Sequence, residues 1–178
     1  MRYYLIASIA LTCAFSSCNQ GPSSSNKDSV EIKIDSLEAI VYADESTQTD
    51  ARAGMQLIRE YAKYYKLHSS DSLAIDRLFK AGEISMDVNQ GNLAVKYFRT
   101  ISDDHSAFHK APEALFLSGF CEENLNKDTA QARFFYNSFI QTFPNHSLAK
   151  DAEFSIQNMG KSDLDLIRMF EKNLEAQK

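Results

Sequence analysis

Hydrophobic residues recur along most of the chain at the three- and four-residue spacing of amphipathic helices. This pattern predicts seven helices, at residues 50–66, 72–88, 92–103, 111–125, 129–142, 147–159 and 163–176. An eighth helix near residues 35–42 is compatible with the same pattern, and residues 45–49 then form a polar loop. The pattern therefore predicts an all-α protein.

Polar residues of the helix-capping type stand at the predicted starts. They are Asp50, Ser72, Asn92, Asp128 or Thr129, Ser147 and Ser162. Pro112 suits a first helical turn, and Gly91, Pro144 and Gly160 suit helix ends. In the last helix, Leu164, Ile167, Phe170 and Leu174 share one side, which predicts a helix that caps the core.

Similar segments recur along the chain at a nearly constant interval. SLAIDRLF (72–79), HKAPEALF (109–116) and SLAKDAEF (147–154) place Ala74, Ala111 and Ala149 in register, at steps of 37 and 38 residues. A second set follows the same steps: Leu57, Ala94 and Ala132, then Tyr61, Phe98 and Tyr136, then Tyr64, Ile101 and Phe139. Two amphipathic helices per unit at this period predict an α-solenoid of antiparallel helix pairs.

The units resemble tetratricopeptide repeats. Ala81-Gly82, Ala94 and Phe98 match one unit, and Gly119, Ala132, Tyr136 and Pro144 match the next. The third unit departs, with Gln157 in place of the glycine, and the period exceeds the usual ~34 residues. The junction FPNHSLAKDAEF (143–154) is similar to junctions in the BamD and CpoB families, which assemble the envelope or serve the Tol-Pal system.

This resemblance implies a non-catalytic scaffold that binds a protein partner in the groove formed by the first helix of each unit. The implied groove positions are Asp76, Phe79, Glu83, Met86, Asp87, Glu113, Phe116, Phe120, Glu123, Asn124, Asp151, Phe154 and Asn158. Most charged members are acidic, so we expect a basic, amphipathic peptide or helix of another envelope protein as partner. The alternative is that these acids form a solvated face.

The first residues have the pattern of an export signal. Arg2 precedes a mostly apolar run over residues 3–15, which is too short to span a bilayer and is typical of a cleaved signal peptide. A buried N-terminal helix is the alternative. Phe15-Ser16-Ser17-Cys18 resembles a bacterial lipobox, which implies removal of residues 1–17 and acylation of Cys18.

The polar, Ser-rich stretch that follows predicts a flexible tether over residues 18–33 and a repeat domain over residues 34–178. By resemblance to lipoprotein sorting signals, Asn19 after the cysteine implies transfer to the outer membrane. In the same sorting signals, an acidic cluster directly after the cysteine is typical of surface-exposed lipoproteins. Here the first acid is Asp28, so the resemblance implies a domain facing the periplasm, with the cell surface as the alternative.

The composition argues against several classes of protein. The 19 Lys and Arg against 24 Asp and Glu leave a net charge of −5, which argues against nucleic acid as the main partner. Six Gly and three Pro are too few for the frequent turns of a β-sandwich. Once Cys13 is removed and Cys18 acylated, Cys121 remains alone, and its apolar surroundings in sequence predict a buried side chain without a disulfide.

Catalytic signatures are nearly absent from the sequence. No phosphate-binding loop, nucleophile elbow or HExxH motif occurs, so we expect no cofactor, no small-molecule substrate and no enzyme activity. His105 and His109 lie four residues apart beside Asp103 and Asp104, which keeps a metal-dependent enzyme as a minor alternative. Polar turn residues between units explain the same stretch. Phe134 is off the helix stripe and is therefore expected to contact a neighbouring unit or a partner.

Overall fold

The computed structural model describes residues 29–43 and 50–175, apart from a few side chains of the last helix. This part of the chain is all-α and contains no strand. Its helices are α1 (Ser29–Val41), α2 (Ala51–Leu67), α3 (Ser72–Asp87), α4 (Gly91–Asp104), α5 (Ala111–Cys121), α6 (Thr129–Thr142), α7 (Ala149–Asn158) and α8 (Asp163–Glu175). A π-helical turn, Glu122–Asn126, continues α5.

The helices pack in the order in which they occur in the chain. From α1 to α7, each helix packs against the next one, and consecutive helices are antiparallel. Such nearest-neighbour packing makes the fold an α-solenoid, because each helix pair buries its apolar face against the adjoining pair. The predicted fold class is confirmed.

The predicted repeat register is confirmed by the core. Ala74, Ala94, Ala111, Ala132 and Ala149 are all buried, as are the aromatic rings Tyr61, Phe98 and Tyr136. Gly82 lies under the Phe98 ring, and Gly119 lies under the Tyr136 ring. In these two units, a glycine of the first helix therefore lets the aromatic ring of the second helix approach the backbone closely.

Most predicted helix ends lie within two residues of the observed ones, and α6 has the predicted bounds. Asp50 and Asp128 cap α2 and α6 as expected, each accepting two backbone N–H bonds. Ser162 caps α8 through reciprocal bonds with Asp165. Other caps differ from the prediction: Asp71 rather than Ser72 caps α3, and α7 begins at Ala149, beyond Ser147.

Gly91 starts α4 and does not end the helix before it. A Cβ atom at this position would lie 2.7 Å from Leu125 Cβ, within the π-helical turn. The glycine is therefore required for the close approach of α4 to this turn, a contact between distant segments that the sequence does not reveal.

The first helix is longer than predicted. It begins at Ser29, so residues 29–33 are helical and do not belong to the predicted tether. Val30, Ile34 and Leu37 are buried, and Tyr61 of α2 donates a 2.5 Å hydrogen bond to Glu38. Burial of Val30 in the core thus extends the helix over residues that were assigned to the tether. The predicted loop 45–49 lies outside the described residues.

Two residues of the predicted apolar face of the last helix are not buried. Leu164 and Ile167 are 64% and 52% exposed, whereas Leu166 and Met169 are half-buried. The side chains of Phe170 and Leu174, also assigned to this face, lie outside the described part of the chain.

Candidate functional site

One face of α3 carries four charged residues at helical spacing: Asp76, Lys80, Glu83 and Asp87. Asp76 and Lys80 are half-buried and ion-paired at 3.7 Å, whereas Glu83 and Asp87 are exposed. The far half of this face is therefore purely acidic.

A groove of about 380 Å³ lies beside these two acids. It is lined by Tyr42, Glu83, Ile84, Met86, Asp87 and Leu117. Ile84 is buried, and Met86 and Leu117 are half-buried. We call this site the α3–α5 groove. It combines apolar side chains with two carboxylates, the combination that an amphipathic segment with basic residues would contact.

The groove lowers the acidity of its carboxyl groups. Partial burial raises the pKa of Glu83, an effect that Lys110 opposes and that Asp76 and Asp87 reinforce. Burial also raises the pKa of Asp87. Both shifts mean that the negative charges are less well solvated here than in water, so a cationic partner would stabilise them.

Tyr42 adds a hydroxyl group to the acidic end of the groove. Burial raises its pKa, a hydrogen bond with Tyr61 opposes this, and the charges of Glu38, Glu83 and Asp87 raise it further. The phenol therefore stays protonated at neutral pH. The sequence analysis placed Tyr42 at the end of a helix and did not assign it to the site.

The predicted groove positions of the first set divide between surface and core. Glu83, Met86 and Asp87 line the groove, whereas Phe79 is only 3% exposed and belongs to the core. The Phe79 ring packs against Phe98, with ring centroids 5.3 Å apart. Assigning Phe79 to the partner surface was wrong, because residues of the following helices cover it.

Lys110, which comes from the start of the next unit, lies over the Phe79 ring. Its ammonium group lies 3.1 Å from Asp76 Oδ1 and 4.7 Å from the centroid of the Phe79 ring. Asp76, a predicted partner contact, is therefore engaged by Lys110 as well as by Lys80.

The predicted groove positions of the second unit also divide between exposed and half-buried residues. Glu113, Phe120 and Asn124 are exposed, whereas Phe116 is half-buried against the rings of Tyr136 and Phe139. Glu113, Leu117 and Phe120 share one face of α5, at four- and three-residue spacing, whereas Asn124 lies beyond α5 in the π-helical turn. This face continues the α3–α5 groove.

Glu123 does not belong to that face. Its carboxylate accepts a 2.9 Å hydrogen bond from the Tyr136 hydroxyl, so it fastens α5 to α6. The π-helical turn has more residues per turn than an α-helix and so changes the direction of the side chains along it. Extrapolating the α-helical face through residue 123 was therefore wrong.

The third set has two surface residues. Asp151 and Phe154 are exposed, but Asn158 is buried at the end of α7. The Asn158 amide donates a 2.8 Å bond to the Phe154 carbonyl and accepts a 2.9 Å bond from Lys161. Asn158 thus closes the helix end, and its assignment to the partner surface was wrong.

The site also contains residues that sequence reasoning missed: Tyr42, Ile84, Leu117 and Lys110. Leu117 was detectable, because it continues the line from Glu113 to Phe120 on one helix face. No sequence pattern indicated Lys110 or Tyr42, because Lys110 precedes α5 and Tyr42 follows α1, so neither shares a helix face with the acids of α3.

The two histidines do not form a metal site. The α4 helix ends at Asp104, so His105 and His109 do not share one helix face. His105 Nε2 lies 2.6 Å from the Tyr65 hydroxyl, and the His109 ring packs at a tilt against Phe108. Within the residues that the structure describes, no group of three His, Cys, Asp or Glu side chains could hold a metal ion.

The predicted burial of Cys121 is confirmed. Cys121 is fully buried, and this burial, with the charge of Glu122, raises the pKa of its thiol to about 12. Phe134 is 61% exposed and lies beside Phe135 of the same helix, and its contact with a partner stays a prediction. Across residues 29–43 and 50–175, no helix has the length and apolar character needed to cross a membrane. Cys18 lies outside the described residues.

Comparisons with known proteins give no match: no protein-family model, no curated protein and no solved structure is significantly similar to the chain.

Proposed function

We propose that this protein is a non-catalytic scaffold that binds a basic, amphipathic segment of another envelope protein in the α3–α5 groove. The observation that carries the proposal is the composition of the groove, with Glu83 and Asp87 at the edge of a surface formed by Ile84, Met86 and Leu117. A basic side chain would neutralise poorly solvated carboxylates while apolar side chains cover the groove.

The solenoid supports this function because it presents the groove on rigid, packed helices. Tyr61, Phe98 and Tyr136 hold successive helices together from the core, so the partner meets a formed surface. Association with such a surface avoids the entropic cost of ordering the receptor.

The second part of the proposal concerns location. The lipobox-like segment ending at Cys18 and the Ser-rich residues after it are the basis for proposing a lipid anchor in the outer membrane. The domain would face the periplasm, and the partner would be another envelope protein.

Charge reversal in the groove tests the function. The full-length protein and its Glu83→Lys/Asp87→Lys variant would be purified from detergent-solubilised membranes, and co-purifying proteins would be quantified by mass spectrometry. We expect a stoichiometric partner on the wild type that the variant loses, and we expect its capture to weaken with added salt because exposed charges are screened.

A matched control separates groove binding from net charge. Glu171 and Glu175 are exposed on α8 with the same four-residue spacing, so Glu171→Lys/Glu175→Lys changes the total charge equally. Retention by this control and loss by the groove variant support the proposal. Capture that survives groove reversal and high salt would refute it. The identity of the partner would also decide whether the protein is an accessory of outer-membrane protein assembly or of the Tol-Pal system.

A further inference from the structure

The contact among Lys110, Asp76 and Phe79 shows how one of these units accommodates a cation. A single ammonium group meets a carboxylate oxygen at 3.1 Å and lies 4.7 Å from an aromatic centroid. Both distances are within the ranges for ion pairing and cation–π attraction. The acid and the ring stand three residues apart on α3, so their side chains lie on the same face.

The same acid and ring recur one unit later. Glu113 and Phe116 occupy the positions of Asp76 and Phe79, 37 residues on, and Glu113 is exposed while Phe116 is half-buried. Glu113 stands on the α5 face that continues the α3–α5 groove through Leu117. We call Glu113 and Phe116 the α5 clamp.

The two cations of the first unit have no counterparts at the second. Lys110 precedes α5 as its N-cap residue, and the residue at the N-cap of α7 is Leu148. Lys80, which also pairs with Asp76, corresponds to Leu117. Among the described residues, no lysine or arginine forms an ion pair with Glu113.

Leu148 retains part of the aliphatic stem of a lysine and lacks its charge. It is half-buried and packs against the cluster that also includes Phe116, Tyr136 and Phe139. The second unit thus keeps the acid, the ring and an apolar neighbour, but it lacks the two lysines that pair with Asp76.

From this difference we propose that the α5 clamp binds one lysine or arginine side chain of the partner, in the way that Asp76 and Phe79 bind Lys110. The inference rests on the proposed function and identifies a specific anchor within it. The acid and ring of the first unit are already occupied by Lys110 of the chain itself, so the cationic side chain of the partner binds at the second unit.

The first test needs no partner. Leu148→Lys places a lysine at the position of Lys110, and we expect its ammonium to pair with Glu113. The melting temperature would be measured for Leu148→Lys, Glu113→Gln and the double variant, with Leu148→Met as the uncharged control. We expect Glu113→Gln to lower the melting temperature more in the Leu148→Lys background than in the wild type.

The second test uses a fluorescein-labelled amphipathic Leu/Lys peptide, with the corresponding Leu/Gln peptide as a neutral control, in fluorescence anisotropy. Glu113→Gln and Leu148→Lys should each weaken binding of the Leu/Lys peptide about tenfold, because each removes one cation contact. Leu148→Met should bind like the wild type.

The outcomes separate the clamp from the function. If Leu148→Lys and Glu113→Gln act additively on melting, the clamp is refuted whatever the peptide does. If the peptide binds less tightly to Glu83→Lys/Asp87→Lys but equally tightly to Glu113→Gln, the result supports the groove function and refutes the clamp. If melting shows the coupling but the protein binds neither peptide, the proposed function falls while the cation preference of the clamp stands.

Discussion

Gly82 lies directly beneath the ring of Phe98, and a single added methyl group at this position should destabilise the fold. A Cβ atom built on Gly82 would lie 2.5 Å from Phe98 Cε1 and 2.7 Å from Cζ. Carbon atoms in good contact are about 3.5–4.0 Å apart, so the ring must move by roughly 1 Å. The ring is fully buried and packs against Phe79 at 5.3 Å, which leaves little room for that movement.

Two opposing effects set the size of the change. Overpacking of a core costs about 1–3 kcal/mol. Alanine favours the helix over glycine by about 1 kcal/mol, which offsets part of the cost. Because the contact involves a rigid ring and not a flexible chain end, we expect the upper part of the range, a net loss of about 1–2 kcal/mol.

Thermal unfolding followed by circular dichroism would measure this loss. For a chain of this size, 1 kcal/mol corresponds to a shift of about 2–4 °C, so Gly82→Ala should lower the melting temperature by about 2–8 °C. The rescue control is Phe98→Leu, which destabilises alone but makes room for the new methyl group. The double variant should therefore be more stable than the sum of the two single effects predicts.

An unchanged or higher melting temperature for Gly82→Ala would refute the reasoning, because the helix preference of alanine would then outweigh the contact. Additive effects of Gly82→Ala and Phe98→Leu would show that the loss does not arise at this ring.

Three further predictions concern the anchor, the repeat register and pH. Cys18→Ala should release the protein from membranes or block its processing, and a variant that still fractionates with the outer membrane at mature size would exclude the lipid anchor. Ala149→Leu should cost about 1–3 kcal/mol in urea unfolding, because Ala149 is buried at a helix crossing, and an unchanged midpoint would contradict the assigned register. In the folded chain the pKa of Glu83 is raised, so the stability that its protonated form contributes is lost as pH rises through the raised pKa. Glu83→Gln should therefore be more stable than the wild type at neutral pH, and the two proteins should become equally stable below the ordinary pKa of a glutamate. A stability difference that stays constant with pH would contradict this prediction.

Much of the fold was predictable because its determinants are local or periodic. Capping by Asp50 and Asp128 needs only residues within one turn, and both were identified. The recurrence of Ala74, Ala111 and Ala149 indicated positions where two helices cross closely, because only small side chains permit such a crossing. Helix ends that depend on distant contacts, such as Gly91 against the π-helical turn, were not predictable in this way.

The candidate site was predictable only in part. Glu83, Met86 and Asp87, which the resemblance to tetratricopeptide repeats assigned to the groove, do line it. Phe79 was misassigned because the residues that cover it lie on other helices, Lys110 among them. Glu123 was misassigned because a π-helical turn changes side-chain direction without a visible signal in the sequence.

By itself, the sequence determined the fold class, the approximate bounds of most of the described helices and the register of the repeat. These properties follow from spacing along one chain, which hydrophobic burial and capping convert directly into helices and helix pairs. Tertiary structure alone decided which members of each helix face remain in contact with solvent. The exposure of each position depends on which side chain the next unit places over it. Lys110 pairs with Asp76 and covers Phe79. Leu148, at the equivalent helix start, has no charge to pair with Glu113.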